Sequence, residues 1–196
     1  MSASVISVKT KENNASVITI WVSADGERKK YTVSEGTYRD IGCPLSGDFL
    51  PSELIRELVR EDEEIRALKK ALGILSYADN SCARLRMKLA RAGFSKKASE
   101  EAVKNLIRMG LLDDNRQVKI RVEALWRSQL AGPRKIMAKL VSEGYSSSDV
   151  RAAIEELKSE ETIDFSLSKR LLLEKKRPES YEDKQKLLYR YGYVYD

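Results

Sequence analysis

The 196-residue sequence contains no histidine and only two cysteines. Without histidine, a catalytic triad that uses an imidazole base is excluded. Cys43 and Cys82 lie far apart without paired spacing, so they cannot supply the ligands of a structural zinc site. We therefore expect two reduced thiols, no metal site and no cofactor.

Motifs of the common enzyme classes are also missing. The sequence has no glycine-rich phosphate loop, no nucleophile elbow and no zinc-binding helix motif. Asp113 and Asp114 form a pair of carboxylates, but acidic residues are favoured wherever a loop enters a helix. The pair therefore predicts a helix start, and we expect a protein that is not an enzyme.

Long hydrophobic runs and aromatic residues are scarce. No apolar stretch approaches the length that crosses a membrane, and the N-terminal residues M-S-A-S-V lack the pattern of a secretory signal. Charged residues make up 34% of the chain and aromatic residues 7%, proportions typical of thin helical layers with much exposed surface. We expect a soluble, cytoplasmic monomer that does not contact membranes.

A helical hairpin is predicted over residues 81–112. Apolar residues recur at intervals of three and four on both sides of Gly93, which indicates two amphipathic helices. Gly93 suits the left-handed position that ends a helix, and Phe94 can fold back onto Leu89 as in a Schellman cap. The two apolar stripes consist of Leu85, Leu89 and Ala92, and of Ala102, Val103, Leu106 and Ile107.

The hairpin recurs twice along the chain. Gly144 and Tyr145 repeat the cap 51 residues after Gly93, and Gly192 and Tyr193 repeat it 48 residues later. Another helical stretch precedes each copy, so the repeating unit has three helices, and the third unit lacks its last helix. This periodicity predicts a small array of stacked helical units.

The N-terminal part differs from the repeats. Clusters of β-branched residues over residues 4–34, with a turn signal at residues 24–26, predict three short antiparallel strands. A helix is predicted from Pro51 to the acidic run Glu61–Glu64, and a second helix from about Asp62 to Ser76.

These patterns predict a mainly α fold. We expect tandem three-helix repeats in an elongated, curved array, preceded by a small antiparallel β-sheet. The predicted divisions are an N-terminal extension with strands and one helix at 1–60, repeats at 61–112 and 113–162, and a partial repeat at 163–196.

Positive charge is concentrated in the first repeat. The formal net charge is +6, yet residues 1–66 carry nine basic and twelve acidic side chains, a net of −3. Residues 67–112 carry ten basic and three acidic side chains, a net of +7. A basic segment, residues 67–112, therefore follows an acidic N-terminal segment, residues 1–66.

Basic residues recur on the middle helix of each repeat. Arg84, Lys88 and Arg91 share the helix face opposite the apolar stripe, and matching positions are basic in the later copies. Such a ridge suits an extended polyanion, although a solvated helix face gives the same pattern. The candidate partner- or DNA-binding residues are Arg84, Arg86, Lys88, Arg91, Arg134, Lys135, Lys139, Lys186 and Arg190.

The two tryptophans, Trp21 and Trp126, are predicted to be core residues rather than platforms for nucleobases. The closing tyrosines alternate as in a strand, but Gly192 and Tyr193 fit a helix cap better.

Taken together, these segments resemble the RecX family of recombination regulators. Residues 16–66 resemble the strand-containing extension of its longer members. The segments that carry the resemblance are Ala71–Ser76, Ser81-x3-Leu85-x3-Leu89-x3-Gly93-Phe94, Gly110–Asp114, Gly132-x3-Ile136-x3-Leu140-x3-Gly144 and Lys184–Tyr193.

The resemblance implies a non-enzymatic modulator of recombination, DNA repair and the SOS response. Such a protein would bind RecA, chiefly its filament on single-stranded DNA, lie in the filament groove, and inhibit ATP hydrolysis and strand exchange. Two other classes stay open from the residues. One is a free-standing helix-turn-helix protein that binds single- or double-stranded DNA without RecA; the other is a docking scaffold that uses the acidic sheet.

Overall fold

The computed structural model describes residues 3–11, 14–24 and 26–194, which form four strands and nine helices. The predicted mainly α fold with an N-terminal antiparallel sheet is confirmed. The elements are β1 Ala3–Lys11, β2 Asn14–Ala24, β3 Glu27–Ser34, α1 Glu35–Asp40, β4 Phe49–Leu50, α2 Ser52–Leu75, α3 Cys82–Arg91, α4 Lys96–Arg108, α5 Asp114–Gln129, α6 Pro133–Ser142, α7 Ser147–Ser159, α8 Phe165–Lys176 and α9 Tyr181–Tyr191.

The chain forms two compact units. The first joins the residues up to Ala78 with Lys88–Arg108, and the second joins Asp79–Met87 with the residues from Met109 onward. Helix α3 therefore contributes its first part to the second unit and its last part to the first. In the described part of the chain, no helix is both long and apolar enough to cross a membrane.

The sheet of the first unit has the antiparallel order β3-β2-β1-β4. Alternate residues of β2 and β3, among them Ile20 and Val33, face a core that also holds Leu58 of α2. The three predicted strands are confirmed, and β4 is a fourth that the sequence did not predict because two residues show no alternation. Asp25, in the predicted turn, lies outside the described residues.

Helix α2 is continuous over 24 residues. The prediction that one helix ends at Glu61–Glu64 and another begins there is wrong. Carboxylates near a helix start stabilise it through the helix dipole, which is why the acidic run resembled a boundary. In the folded chain, three of these carboxylates instead accept hydrogen bonds from distant backbone amides.

The acidic run of α2, Glu61–Glu64, links this helix to β3 and to the start of α4. Two of its carboxylates bind amides on the outer edge of β3, and a third binds the amide at the start of α4. The pairs are Glu61 with the Ser34 amide at 2.9 Å, Asp62 with the Thr32 amide at 2.9 Å, and Glu63 with the Ser95 amide at 2.7 Å. The side chains therefore satisfy donors at a sheet edge and at a helix end, both of which lack backbone partners.

We expect Asp62→Ala to lower the free energy of unfolding by about 2 kcal/mol. The substitution leaves the part-buried Thr32 amide and the charged Arg66 side chain without their acceptor. Asp62 is only 9% exposed and accepts from the Thr32 amide and, at 2.7 Å, from Arg66 Nε. Urea unfolding followed by circular dichroism measures the change. The control is Glu64→Ala, since Glu64 makes no hydrogen bond or ion pair within the described residues; equal losses in both variants would contradict this role of Asp62.

The predicted helix caps are confirmed in all three copies. Gly93, Gly144 and Gly192 have φ of +89°, +92° and +84°, in the left-handed region that favours glycine. The residue after each glycine donates its amide back into the helix. These bonds are Phe94 to Leu89 O at 3.2 Å, Tyr145 to Leu140 O at 3.1 Å and Tyr193 to Leu188 O at 3.0 Å.

The predicted core residues are buried with some exceptions. Leu85, Leu89 and Leu106 are fully buried, whereas Ala92 is exposed and Ile107 is 48% exposed, contrary to the prediction. Ile107 follows Leu106 directly and so lies about 100° around the helix, at the margin of the apolar stripe.

The two tryptophans differ in their surroundings. Trp126 packs against the core of the second unit, as predicted, and its Nε1 donates to Asp164 O at 3.2 Å. The prediction of a core position for Trp21 is wrong. Trp21 pairs with Lys30 across the sheet and faces away from the core, because its neighbours Ile20 and Val22 on β2 point inward.

Candidate partner-binding surface

The predicted basic residues lie on α3, α6 and α9, and most are exposed. Lys88 and Lys135 are half-buried. Arg84 and Arg86 belong to the second unit, with the candidates of α6 and α9, whereas Lys88 and Arg91 belong to the first unit. The role of these residues in binding stays a prediction.

The end of α9 docks on the start of α6. The first amides of a helix lack intrahelical acceptors, and the closing turn of α9 supplies them. Burial raises the pKa of Tyr193, whose hydroxyl is one of the donors. The bonds run from the Gly132 amide to Tyr191 O at 2.7 Å, from the Arg134 amide to Gly192 O at 3.2 Å, and from the Tyr193 hydroxyl to Leu130 O at 2.9 Å.

The end of α6 docks in the same way on the start of α3. The Ser81 hydroxyl donates to Glu143 O at 2.7 Å and accepts from the Arg84 amide at 3.2 Å. A side chain built on Gly144 would lie 2.7 Å from that hydroxyl oxygen. Ser81 and Gly132 hold equivalent positions in their repeats, so one junction occurs twice. Within the second unit, the basic middle helices therefore follow one another end to end.

Some candidate cations already have ionic partners. Lys139 pairs with Glu143 at 3.4 Å, and Arg121 donates to both oxygens of the same carboxylate, at 2.8 and 2.9 Å. Lys186 pairs with Glu182 at 2.6 Å on the surface of α9. The exposed pair of Lys186 with Glu182 contributes little to stability, and Lys186 can exchange Glu182 for another anion, whereas the Glu143 carboxylate is only 13% exposed.

Aromatic rings hold two further candidates at the junction of α6 and α9. The Lys135 ammonium lies 4.5 Å from the centre of the Tyr191 ring, and the Arg134 guanidinium lies 5.9 Å from that of Tyr189. These cation–π contacts keep the charge while orienting the side chains. These pairings could not be predicted from the sequence, because they join residues of different repeats.

Five candidates form no ion pair with any residue that the structure describes. They are Arg84, Arg86, Lys88, Arg91 and Arg190. Unpaired arginines present fixed arrays of donors that match phosphate and carboxylate oxygens. Arg84 and Arg86 of the second unit, and Lys88 and Arg91 of the first, are therefore the strongest candidates for contact with an anionic partner.

The start of α3 is closed by a carboxylate from α5. Asp114 accepts from the Cys82 amide at 2.9 and 3.2 Å. Burial, with the Asp114 charge as a second cause, raises the pKa of the Cys82 thiol to about 11. Cys43 is exposed, and both cysteines are free. No group of three or more ligating side chains among the described residues is placed to hold a metal ion.

We expect a thiol-specific disulfide reagent at pH 8 to label Cys43 within its first phase and Cys82 much more slowly. A pKa near 11 in place of 9.0 leaves Cys82 with about a hundredfold less of the reactive thiolate. Asp114→Asn keeps an oxygen acceptor but removes the charge, so it should accelerate labelling of Cys82. A Cys43→Ser background isolates the slow thiol; fast labelling in that background would contradict the half-buried position of Cys82 beside Asp114.

No protein-family model matches the chain. Among curated proteins, Regulatory protein RecX of Lactobacillus johnsonii is 31% identical over 134 residues, which cover 68% of this chain and 49% of that protein. Regulatory protein RecX of Clostridium perfringens is 31% identical over 151 residues, covering 74% of this chain and 70% of that protein. The chain thus spans about half the length of the Lactobacillus relative.

Solved structures agree in fold. The crystal structure of a regulatory protein RecX superposes with a TM-score of 0.69 at 19% identity, covering 98% of this chain and 95% of the other. RecX from Lactobacillus salivarius gives a TM-score of 0.57 at 21% identity, covering 69% and 91%. At such identities the superpositions establish the fold alone. The binding function has to be argued from the residues of the candidate surface.

Proposed function

This chain belongs to the RecX family of regulatory proteins, and we propose on that premise that it binds RecA and the RecA filament on single-stranded DNA. By binding, it inhibits ATP hydrolysis and strand exchange and so modulates recombination, DNA repair and the SOS response in the cytoplasm. The observation that carries this proposal is that the cations of α3 form no ion pair with any described residue, and that the counterparts of α3 in the later repeats are also basic.

The repeated junction suits a repeating partner. A nucleoprotein filament presents the same anionic groups at regular intervals, and a repeat protein presents the same helix at regular intervals. The cations of α6 and α9 would then meet groups equivalent to those met by α3. In this proposal the protein inhibits RecA by occupying its binding site on the filament and catalyses no reaction. It acts as a monomer without a cofactor.

The second candidate function is direct DNA binding without RecA. The unpaired guanidinium groups of Arg84 and Arg86 favour it, because they could bind phosphates of any duplex or single strand. A docking scaffold that uses the negative charge of the N-terminal region is disfavoured. The carboxylates of Glu61, Asp62 and Glu63 already accept backbone amides inside the first unit.

Fluorescence anisotropy of the labelled protein separates these functions. It would be titrated with RecA filaments on single-stranded DNA held by a non-hydrolysable ATP analogue, with bare single strands, and with duplex DNA. We expect the filament to bind at least about tenfold tighter than either DNA alone, a gain of about 1.4 kcal/mol. Equal affinity for bare duplex, falling steeply with salt, would replace the RecA proposal with the DNA-binding one.

A further inference from the structure

The outer edge of the sheet is open over part of β3. The amides of Thr32 and Ser34 point away from β2, because they donate to the carboxylates of α2. Alternate residues of a strand direct their N–H and C=O groups to the same side. Arg28 and Lys30 therefore also present both groups outward, and no described residue donates to or accepts from them there.

A groove of about 810 Å³ runs along this open edge, between β3 and the second half of α2. Four cations line it. Arg66 pairs with Asp62, the one carboxylate of the lining, at 2.7 Å, and Lys29 pairs with Glu27 at 3.5 Å, so the cations still outnumber these carboxylates by two. The groove is therefore positive. Its cations are Lys29, Lys30, Arg66 and Lys69.

Two side chains of the edge strand lie over the outer face of the sheet. Arg28 lies over the Trp21 ring, 4.5 Å from its centre, and the Lys30 ammonium lies 5.7 Å from it. These contacts hold the two side chains on the outer face of the sheet. The backbone groups between them stay accessible, which is the condition for adding a strand.

We propose that this groove binds an extended acidic segment of a partner protein, which adds to the sheet as a strand beside residues 28–31. Its backbone pairs with the outward groups of Arg28 and Lys30, and its carboxylates face Lys29, Arg66 and Lys69. Asp62 and Glu61 provide the precedent within the chain, since both already place carboxylate oxygens on amides of this edge.

A peptide fits this edge better than a nucleic acid does. The edge offers backbone acceptors as well as donors, and a sugar-phosphate backbone has no N–H groups with which to meet the acceptors. The inference goes beyond the proposed function, which concerns α3, α6 and α9 of the repeats. It is tested without RecA, so either idea can fail without the other.

The test uses the full chain labelled with ¹⁵N and a pool of blocked peptides, about six residues long, in which Glu or Asp alternates with Val, Ile or Thr. At about 1 mM pool, in the range of weak peptide binding, we expect the amide resonances of Arg28 and Lys30 to shift. A pool with Lys in place of the acids and an oligothymidine of similar length serve as controls. Absence of shifts at these amides, or equal shifts with either control, overturns the proposal.

Two matched pairs of variants separate the contribution of backbone hydrogen bonds to peptide binding from that of side-chain charge. Lys30→Ala and Lys30→Pro both remove the ammonium, but only proline removes the outward N–H, which makes no bond to β2. We expect proline to weaken peptide binding about fivefold more than alanine does, because a fivefold change in affinity corresponds to the net free energy of one hydrogen bond. Lys69→Glu should weaken binding about tenfold or more, whereas Lys70→Glu, on the same helix but outside the groove, should not. Equal effects within either pair count against the proposal.

Discussion

Gly192→Ala is expected to lower the free energy of unfolding by about 3 to 5 kcal/mol, combining backbone strain with loss of a packed junction. Gly192 has φ of +84°, and a Cβ there would lie 2.3 Å from the backbone nitrogen of Lys135. That nitrogen belongs to the first turn of α6 and cannot move alone. The end of α9 must therefore withdraw, which breaks its bonds to Gly132 and Arg134.

Two other glycines provide matched controls for this substitution. Gly93 has the same cap and φ of +89°, but a Cβ there meets nothing within 4 Å, so Gly93→Ala should cost only about 1 to 2 kcal/mol of strain. Gly132 has φ of −78°, so Gly132→Ala adds no backbone strain, yet its Cβ would lie 2.6 Å from Gly192 O. Urea unfolding curves should rank the losses Gly192, Gly132, Gly93; equal losses at Gly192 and Gly93 would show that the junction contributes nothing.

The caps themselves could be predicted from the sequence because they depend on neighbours in the chain. A glycine in the left-handed region and an apolar residue after it are enough to close a helix, and Gly93, Gly144 and Gly192 all follow this rule. The fold class follows from the same local periodicities. The basic faces were predicted in the same way, by counting along a helix.

The junctions and the acidic run could not be predicted, because their partners are distant in sequence. Ser81 meets Glu143 across 62 positions, and Glu63 meets Ser95 across 32. Local propensity places acidic residues at helix starts, and in α2 the tertiary contacts of the carboxylates override that preference. The ion pair of Lys139 with Glu143 was, by contrast, visible as a spacing of four.

Reversing the charges of Arg84, Lys88 and Arg91 to glutamate is expected to weaken binding to RecA filaments on single-stranded DNA by about a hundredfold or more. None of the three has an ion pair among the described residues, so each charge is available to the partner. Each reversal replaces an attraction by a repulsion, which at an interface costs on the order of tenfold in affinity or more. Competition anisotropy against unlabelled wild-type protein measures the loss.

A control triple separates the α3 surface from net charge. Lys97, Arg116 and Lys175 are exposed and have no ion pair within the described range, and they lie on other helices. Their reversal to glutamate changes the net charge equally and should leave affinity within about threefold, since distant surface charges are screened by salt. If both triples weaken binding alike, net charge is the cause; if the α3 triple binds like wild type, α3 is not the contact surface.

The most direct test of the central claim is the ATPase rate of a bacterial RecA on single-stranded DNA as this protein is titrated in. The proposal predicts that the rate falls at substoichiometric to equimolar protein, and that the α3 triple loses this effect while the control triple keeps it. An unchanged ATPase rate with an excess of folded protein would contradict the claim that this chain regulates RecA.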